Sequence, residues 1–276
     1  MKPLLLRFII AVLIVMIAGG FVVFSEPDGI PVLNYHQIND VDENMLTVST
    51  EEFETQMVWL KEHGYQAVTA SELADALEGK GTLPPRPVLI TFDDGYIDNY
   101  KCAFPILKKH DMKAIIFLIS EYVSLYPNYL TWEQLAEMQT AGVEFGSHTV
   151  DHNVLTELSP NSVNHELADS KNVLENRLRR RVEFLAYPCG YTNEDIKARV
   201  RAAGYRAAFT VELGNVNPGD DMYELNRVPI FGAMPHTMFR FEGRLRCPRV
   251  AAWLERIQRN LIRSGHQNLA EMIPVL

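Results

Sequence analysis

Cysteine is scarce in this chain: Cys102, Cys189 and Cys247 are the only three in 276 residues. That excludes a scaffold built on disulfides. No spacing among them resembles a metal knuckle, and an odd number leaves at least one thiol free or paired to another molecule. No structural disulfide is expected. Positive charge is also short, since 26 Lys and Arg against 35 Asp and Glu give a net charge of −9. The basic footprint of a general nucleic-acid binder is therefore missing, and no nucleic-acid partner is expected. The sequence shows no internal repeat, and its 47% hydrophobic content excludes a disordered chain. The length suits one large domain or two small ones, and a βα barrel of about 250 residues would fill it.

What is present begins at the N-terminus. Phe8 to Phe24 is an uncharged run of 17 residues, preceded by Lys2 and Arg7 and followed by Glu26 and Asp28. Roughly 17–25 apolar residues span a bilayer as a helix, and positive charge stays on the cytoplasmic side. Residues 1–25 are expected to be a transmembrane signal-anchor that exports the rest of the chain. Cleavage as a signal peptide is the alternative, with Val23-Phe24-Ser25 a poor site and Ala18-Gly19-Gly20 no more than a candidate. The main domain is expected over 26–236 and an extension over 237–276. Between Arg240 and Arg263 stand seven Arg and two Glu, and Val250, Leu254, Ile257 and Leu261 share one helical face. Such a basic amphipathic helix suits an anionic lipid or polymer, or packing on the main domain with its Arg solvated.

Between these ends, short apolar strands alternate with helices. Strands are expected at Ile30–His36, Tyr65–Thr69, Val88–Phe92, Lys113–Ser120, Val143–Ser147, Val182–Ala186, Tyr205–Val211 and Glu224–Ile230. Helices are expected at Ser49–His63 with a Ser49/Glu52 capping box, at Ser71–Glu78, and at Asp98–His110 with a kink at Pro105. Others start at Thr131, with Gln134 three residues on, at Ser159-Pro160, and at Asn193. Alternation of this kind implies parallel pairing with right-handed crossovers. The fold class is α/β, a (β/α) barrel of seven or eight units.

Two segments carry chemistry. Thr91-Phe92-Asp93-Asp94-Gly95 ends an apolar strand, and barrel active sites lie at the C-terminal ends of strands. Adjacent residues there point in different directions, so one carboxylate is free to bind a metal while its neighbour handles a proton. A helix N-cap is the ordinary use of such an Asp. The second segment, Ser147-His148-Thr149-Val150-Asp151-His152, follows another strand. If it turns helically, the two imidazoles four apart lie on one face and bind one ion. One carboxylate and two imidazoles leave positions open for water and substrate, the mark of a catalytic site.

TFDDG followed about 50 residues later by SHTVDH resembles the polysaccharide deacetylases of carbohydrate esterase family 4. The resemblance covers roughly Ile30 to Phe231 and implies a distorted barrel with fewer regular strands than eight. It implies that Asp93 is the general base and that Asp94, His148 and His152 hold one divalent metal, zinc by default, with cobalt, nickel or iron also compatible. Ala186-Tyr187-Pro188-Cys189-Gly190 stands where the family usually has Arg-Pro-Pro-Tyr-Gly, so Cys189 would lend its backbone N–H to the oxyanion, with Tyr187 and Pro188 beside it. The motif's Arg is missing, and Arg227 in Leu225-Asn226-Arg227-Val228-Pro229 is the candidate to orient the base. The Leu-x-His that supplies the general acid is missing too. Val-Leu-Asn-Tyr-His at the first strand and Phe-Leu-Ala-Tyr-Pro resemble the biofilm poly-N-acetylglucosamine deacetylases. That makes His36 the expected acid, ahead of His236 in its Pro-rich loop.

The activity so implied is removal of N-acetyl groups from an acetylated amino-sugar polymer at the cell surface, with a bell-shaped pH profile. Tyr187, Trp132 and the Gly79–Pro87 link would shape a sugar groove. Peptidoglycan, chitin oligomers or a lipid-linked sugar are other substrates. O-acetyl ester hydrolysis and a sugar-binding protein with a relic site are the remaining alternatives.

Overall fold

The computed structural model describes residues 29–232 and 237–270. The expected N-terminal anchor and His236 lie outside them. Among the described residues no helix is long and apolar enough to cross a membrane.

In chain order the strands are β1 (Val32–Tyr35), β2 (Gln37–Ile38), β3 (Thr47–Val48), β4 (Gln66–Val68), β5 (Pro87–Phe92), β6 (Ile115–Leu118), β7 (Glu144–Ser147), β8 (Phe184–Ala186), β9 (Ala207–Leu213) and β10 (Leu225–Pro229). Strands β5 to β10 pair in sequence, and β1 pairs in parallel with both β10 and β5. Seven parallel strands thus close a barrel. Strand β4 is an eighth, outside the ring. Leu89 of β5 pairs with Val32 of β1 and Val68 of β4, while Thr91 pairs with Asn34 of β1 and Ile115 of β6. Strands β4 and β6 therefore share one edge of β5. The two-residue strands β2 and β3 form a separate small sheet.

Side chains alternate along each strand, and the inward set fills the barrel. Val32, Leu89, Ile115, Phe117, Phe184 and Phe209 belong to one buried cluster. Gly146 has to be small: a Cβ there would sit 2.4 Å from a Phe117 ring carbon and 3.0 Å from the Phe184 carbonyl. Gly146→Ala should cost about 1–3 kcal/mol by overpacking, read as a lowered thermal midpoint. An unchanged midpoint would mean that β7 shifts freely.

Four helices start at the caps the sequence shows, Ser49, Thr131, Ser159 and Asn193, whereas the helix expected from Ser71 starts at Ala70 under a Thr69/Glu72 capping box. Thr131 and Gln134 form a full capping box, and the Asn193 side chain accepts from the Ile196 N–H. Ser49 accepts from the Glu52 N–H, but the Glu52 carboxylate takes the Thr237 hydroxyl instead of completing the box. The expected Asp98–His110 helix is two pieces, a π turn at Asn99–Ala103 and an α-helix at Phe104–His110. Ala103 and Phe104 both keep helical φ/ψ, so Pro105 lies within one continuous helical run, and the expected irregularity takes the form of the π turn directly before it.

Gly29–Met238 forms one compact unit. The described chain from Phe239 onward belongs to another, in which Arg244 of the helix Thr237–Arg246 pairs with Glu255 of the helix Pro248–Arg263 at 2.5 Å. On the latter helix Leu254, Ile257 and Leu261 are partly covered, whereas Arg256 and Arg259 are exposed.

Candidate active site

The barrel parity that buries Leu89 also turns Thr91 and Asp93 inward, and it does the same for Asn34 and His36 after Val32, for Arg227 after Leu225 and for His148 after Gly146. Polar side chains thus replace apolar ones toward the C-terminal mouth. Arg227 is completely buried. Its Nη1 and Nη2 donate to Asp93 Oδ1 and Oδ2, each at 2.7 Å. Nε donates to the Thr210 carbonyl at 2.6 Å and Nη1 also to Thr91 Oγ1 at 3.1 Å. Asn34 Nδ2 donates to Asp93 Oδ2 at 3.0 Å. Burial alone would push the Asp93 carboxyl up, but the Arg227 charge, with His148 and His36 behind it, holds it well below the usual carboxylate range. Asp93 is a fixed, ionised carboxylate.

Asp94 leaves that pattern because its φ is +72°, in the left-handed region. Its carboxylate turns to two imidazoles: Oδ1 lies 3.4 Å from His148 Nε2 and 3.5 Å from His152 Nε2. The three ligand atoms fall within 4.8 Å of one another. His148 Nδ1–H donates to the Ala186 carbonyl at 2.8 Å, which leaves the lone pair on Nε2, facing Asp94. Burial depresses the His148 pKa and favours its neutral, ligating form. The donor set fits a first-row divalent ion. Ligands about 2.1 Å from a tetrahedral zinc stand about 3.4 Å apart, which matches both Asp94–His distances. Three protein donors leave a fourth position open.

The two His do not meet by way of a helical turn. Thr149 and His152 both have positive φ, +68° and +66°, and the segment loops back on itself. The long helix Pro160–Leu178 holds this loop: Glu166 Oε2 accepts from the Val150 N–H at 2.8 Å and Ser170 Oγ meets Ser147 Oγ at 2.7 Å. Tyr96 lies against Asp94 on the other side. Burial, then the Asp94 charge, push its hydroxyl far up, so it stays a donor.

His36 Nε2 is 3.9 Å from Asp93 Oδ2, too far for a direct hydrogen bond. Its Nδ1 is buried without a partner, and Asn99 Nδ2 donates to its carbonyl at 2.8 Å. Cys189 has φ +57° in the turn Pro188–Gly190, three residues after the carbonyl that holds His148. Outside that turn its N–H donates to no backbone acceptor among the described residues.

The sugar-groove expectation needs correcting. Tyr187 is fully buried, with its hydroxyl donating to the Tyr223 carbonyl at 2.8 Å, so its ring offers no face to a sugar. The Gly79–Pro87 link enters β5 at its N-terminal end, away from the mouth. Trp132 carries the Arg177 guanidinium over its ring at 5.3 Å. Sequence reasoning also missed Asn34, Thr91 as a partner of Arg227, and Glu166. A polar residue inside an apolar strand was the available signal for the first two.

A family profile described as "Polysaccharide deacetylase" matches residues 80–208. YxkH of Bacillus subtilis is 38% identical over 215 residues, covering 78% of this chain and 76% of its own length. The poly-beta-1,6-N-acetyl-D-glucosamine N-deacetylase of Staphylococcus epidermidis is 28% identical over 269 residues, 83% of this chain and 93% of its own. Among solved structures, the Streptococcus pyogenes deacetylase PplD in complex with acetate superposes with a TM-score of 0.72 at 31% identity, covering 78% of this chain and 98% of that one.

Proposed function

This chain belongs to the polysaccharide deacetylase family, and from that premise we propose that it removes N-acetyl groups from an N-acetylglucosamine polymer at the cell surface. It is a hydrolase of amide bonds on polysaccharide, and the family is metal-dependent. The observation that supports the finer reading most is the adjacency of the Asp94–His148–His152 cluster to the Arg227-bound Asp93 at one mouth of the barrel. The Staphylococcus epidermidis relative supports the choice of polymer. The uncharged run Phe8–Phe24 behind Lys2 and Arg7 supports an anchored chain with its barrel outside the cytoplasm.

In this reading Asp94, His148 and His152 hold one divalent ion, zinc by the donor set. Such an ion supplies Lewis acidity and brings the pKa of water towards neutrality. Asp93 accepts the proton of the attacking water, and Arg227 keeps that carboxylate ionised and aimed. The Cys189 N–H donates to the oxyanion as it forms. His36 Nε2 passes a proton to the departing sugar nitrogen. Acetate and a free amine are the products.

The test is acetate release from β-1,6-linked N-acetylglucosamine oligomers by the full chain loaded with zinc, beside Asp94→Asn. Wild type should release one acetate per amine formed. Losing a ligand should weaken metal binding by more than the roughly 10–100-fold that outer-shell changes cost, and turnover should fall with metal content. A wild type that holds one metal per chain and releases no acetate would move the activity to another acetylated substrate.

A further inference from the structure

The loop that follows β6, Ile119–Leu130, is tied to both metal-ligand segments by its backbone. Ser120 and Glu121 N–H donate to the Thr149 and Val150 carbonyls at 3.1 and 3.0 Å, on the His148–His152 side. At its other end Leu130 N–H donates to the Gly95 carbonyl and Ile97 N–H to the Asn128 carbonyl, each at 2.9 Å, next to Asp94. Val123 and Leu130 are buried and pin the loop to the core. It is therefore a built wall of the mouth.

That wall is made of tyrosine. Tyr96, in contact with Asp94, stacks on Tyr129 with ring centroids 5.1 Å apart. Tyr129 meets the edge of Tyr122 at 4.9 Å, and Tyr122 meets Tyr126 edge-to-face at 5.0 Å. Exposure grows outward along this chain of rings. The first three are partly covered, whereas Tyr126 is 48% exposed and its neighbour Leu125 57%. A phenol offers a rigid apolar face with a hydroxyl at its rim. A pyranose offers the complement, a C–H face edged by hydroxyls.

We propose that Tyr96, Tyr129, Tyr122 and Tyr126 form a binding wall for the sugar units that adjoin the one being deacetylated, with Tyr126 and Leu125 as its outer stacking surface. The proposal rests on the polysaccharide reading above and adds where the chain lies and what holds it. It is continuous with the metal cluster through Tyr96 and Asp94. It also assigns an aromatic contact that the buried Tyr187 does not offer.

One sugar face against one phenol hides on the order of 60 Å² of apolar surface, about tenfold in affinity. The experiment uses the full chain and a β-1,6-linked N-acetylglucosamine pentamer. Calorimetry on the metal-free protein gives Kd. Acetate release by the zinc-loaded protein gives KM and kcat, and aryl acetate turnover is followed beside it. Tyr126→Ala should raise Kd and KM for the pentamer about tenfold, with little change in kcat and a smaller loss on the aryl acetate. Tyr126→Phe, which keeps the ring, should stay near wild type. Tyr122→Ala should act in the same direction. A wild type that turns the pentamer over, beside a Tyr126→Ala with unchanged Kd and KM, overturns the wall alone. Equal losses on pentamer and aryl acetate overturn it too, since they mark damage to the site. A wild type that neither binds nor deacetylates the pentamer overturns the wall together with the reading beneath it.

Discussion

Arg227→Met is expected to destabilise the barrel by about 3–5 kcal/mol at neutral pH, the cost of leaving a buried charge without its partner. Asp93 is 1% exposed and Arg227 not at all, so water cannot replace the lost guanidinium. The double variant Asp93→Leu/Arg227→Met should recover most of that loss, because a buried ion pair and a well-packed apolar pair are often close in stability. The pH dependence follows with its sign. In wild type the carboxyl sits below its unfolded value of about 3.9, so the pair's contribution is present above that pH and is lost as pH falls toward the folded value. Without Arg227 burial dominates, the carboxyl rises, and the single variant should be least stable at neutral pH and recover in acid. Urea unfolding of the three proteins at pH 3, pH 5 and pH 8 checks both points. A single variant as stable as wild type at pH 8 would mean that Asp93 is not held ionised by Arg227. The double variant should be inactive whatever its stability, which separates the catalytic role of the pair from its structural one.

Much of this site is legible in the sequence because barrel geometry makes it so. Strands announce themselves as apolar runs, their C-terminal ends mark the mouth, and parity then says which residues turn inward. Arg227 became a candidate because the motif that the sequence resembles has an Arg missing here; in the structure, two positions after the inward Leu225, it meets Asp93. What the sequence conceals is backbone handedness at non-glycine residues. Asp94, Thr149 and His152 all take positive φ; Asp and His visit that region more readily than most residues but are far commoner outside it, and a β-branched Thr gives no hint of it, and these three bends are what bring the metal ligands together. A helical turn from His148 to His152 is the natural expectation from their spacing, yet the chain reaches the same end through a loop braced by Glu166. The tyrosine wall is concealed for another reason. Its order comes from backbone bonds to two ligand loops distant in sequence, and a tyrosine-rich loop alone shows no period to read.

The proton donor gives the second large expected effect. An amine leaves a tetrahedral intermediate poorly unless it is protonated as it departs, whereas an activated phenol leaves unaided. If His36 is the acid, His36→Ala should lower deacetylation of N-acetylglucosamine oligomers by about 10²–10⁴-fold, the range for a general acid. Hydrolysis of an aryl acetate should fall far less. Asp93→Asn should lower both, because the attacking water needs its base with either substrate. The His36 imidazole stands near the base: its Nε2 is 3.9 Å from Asp93 Oδ2, and Asn99 Nδ2 donates to its backbone carbonyl. Its side chain is 17% exposed, against 2% for that of Asp93, so solvent reaches the imidazole where it does not reach the base. Equal losses on amide and ester would make His36 a positioning group for Asp93 rather than a donor. Amide turnover that survives His36→Ala would move the acid elsewhere, and His236→Ala on the same two substrates would be the next comparison. Loss on the amide alone, with metal content kept at one per chain, assigns the proton to His36.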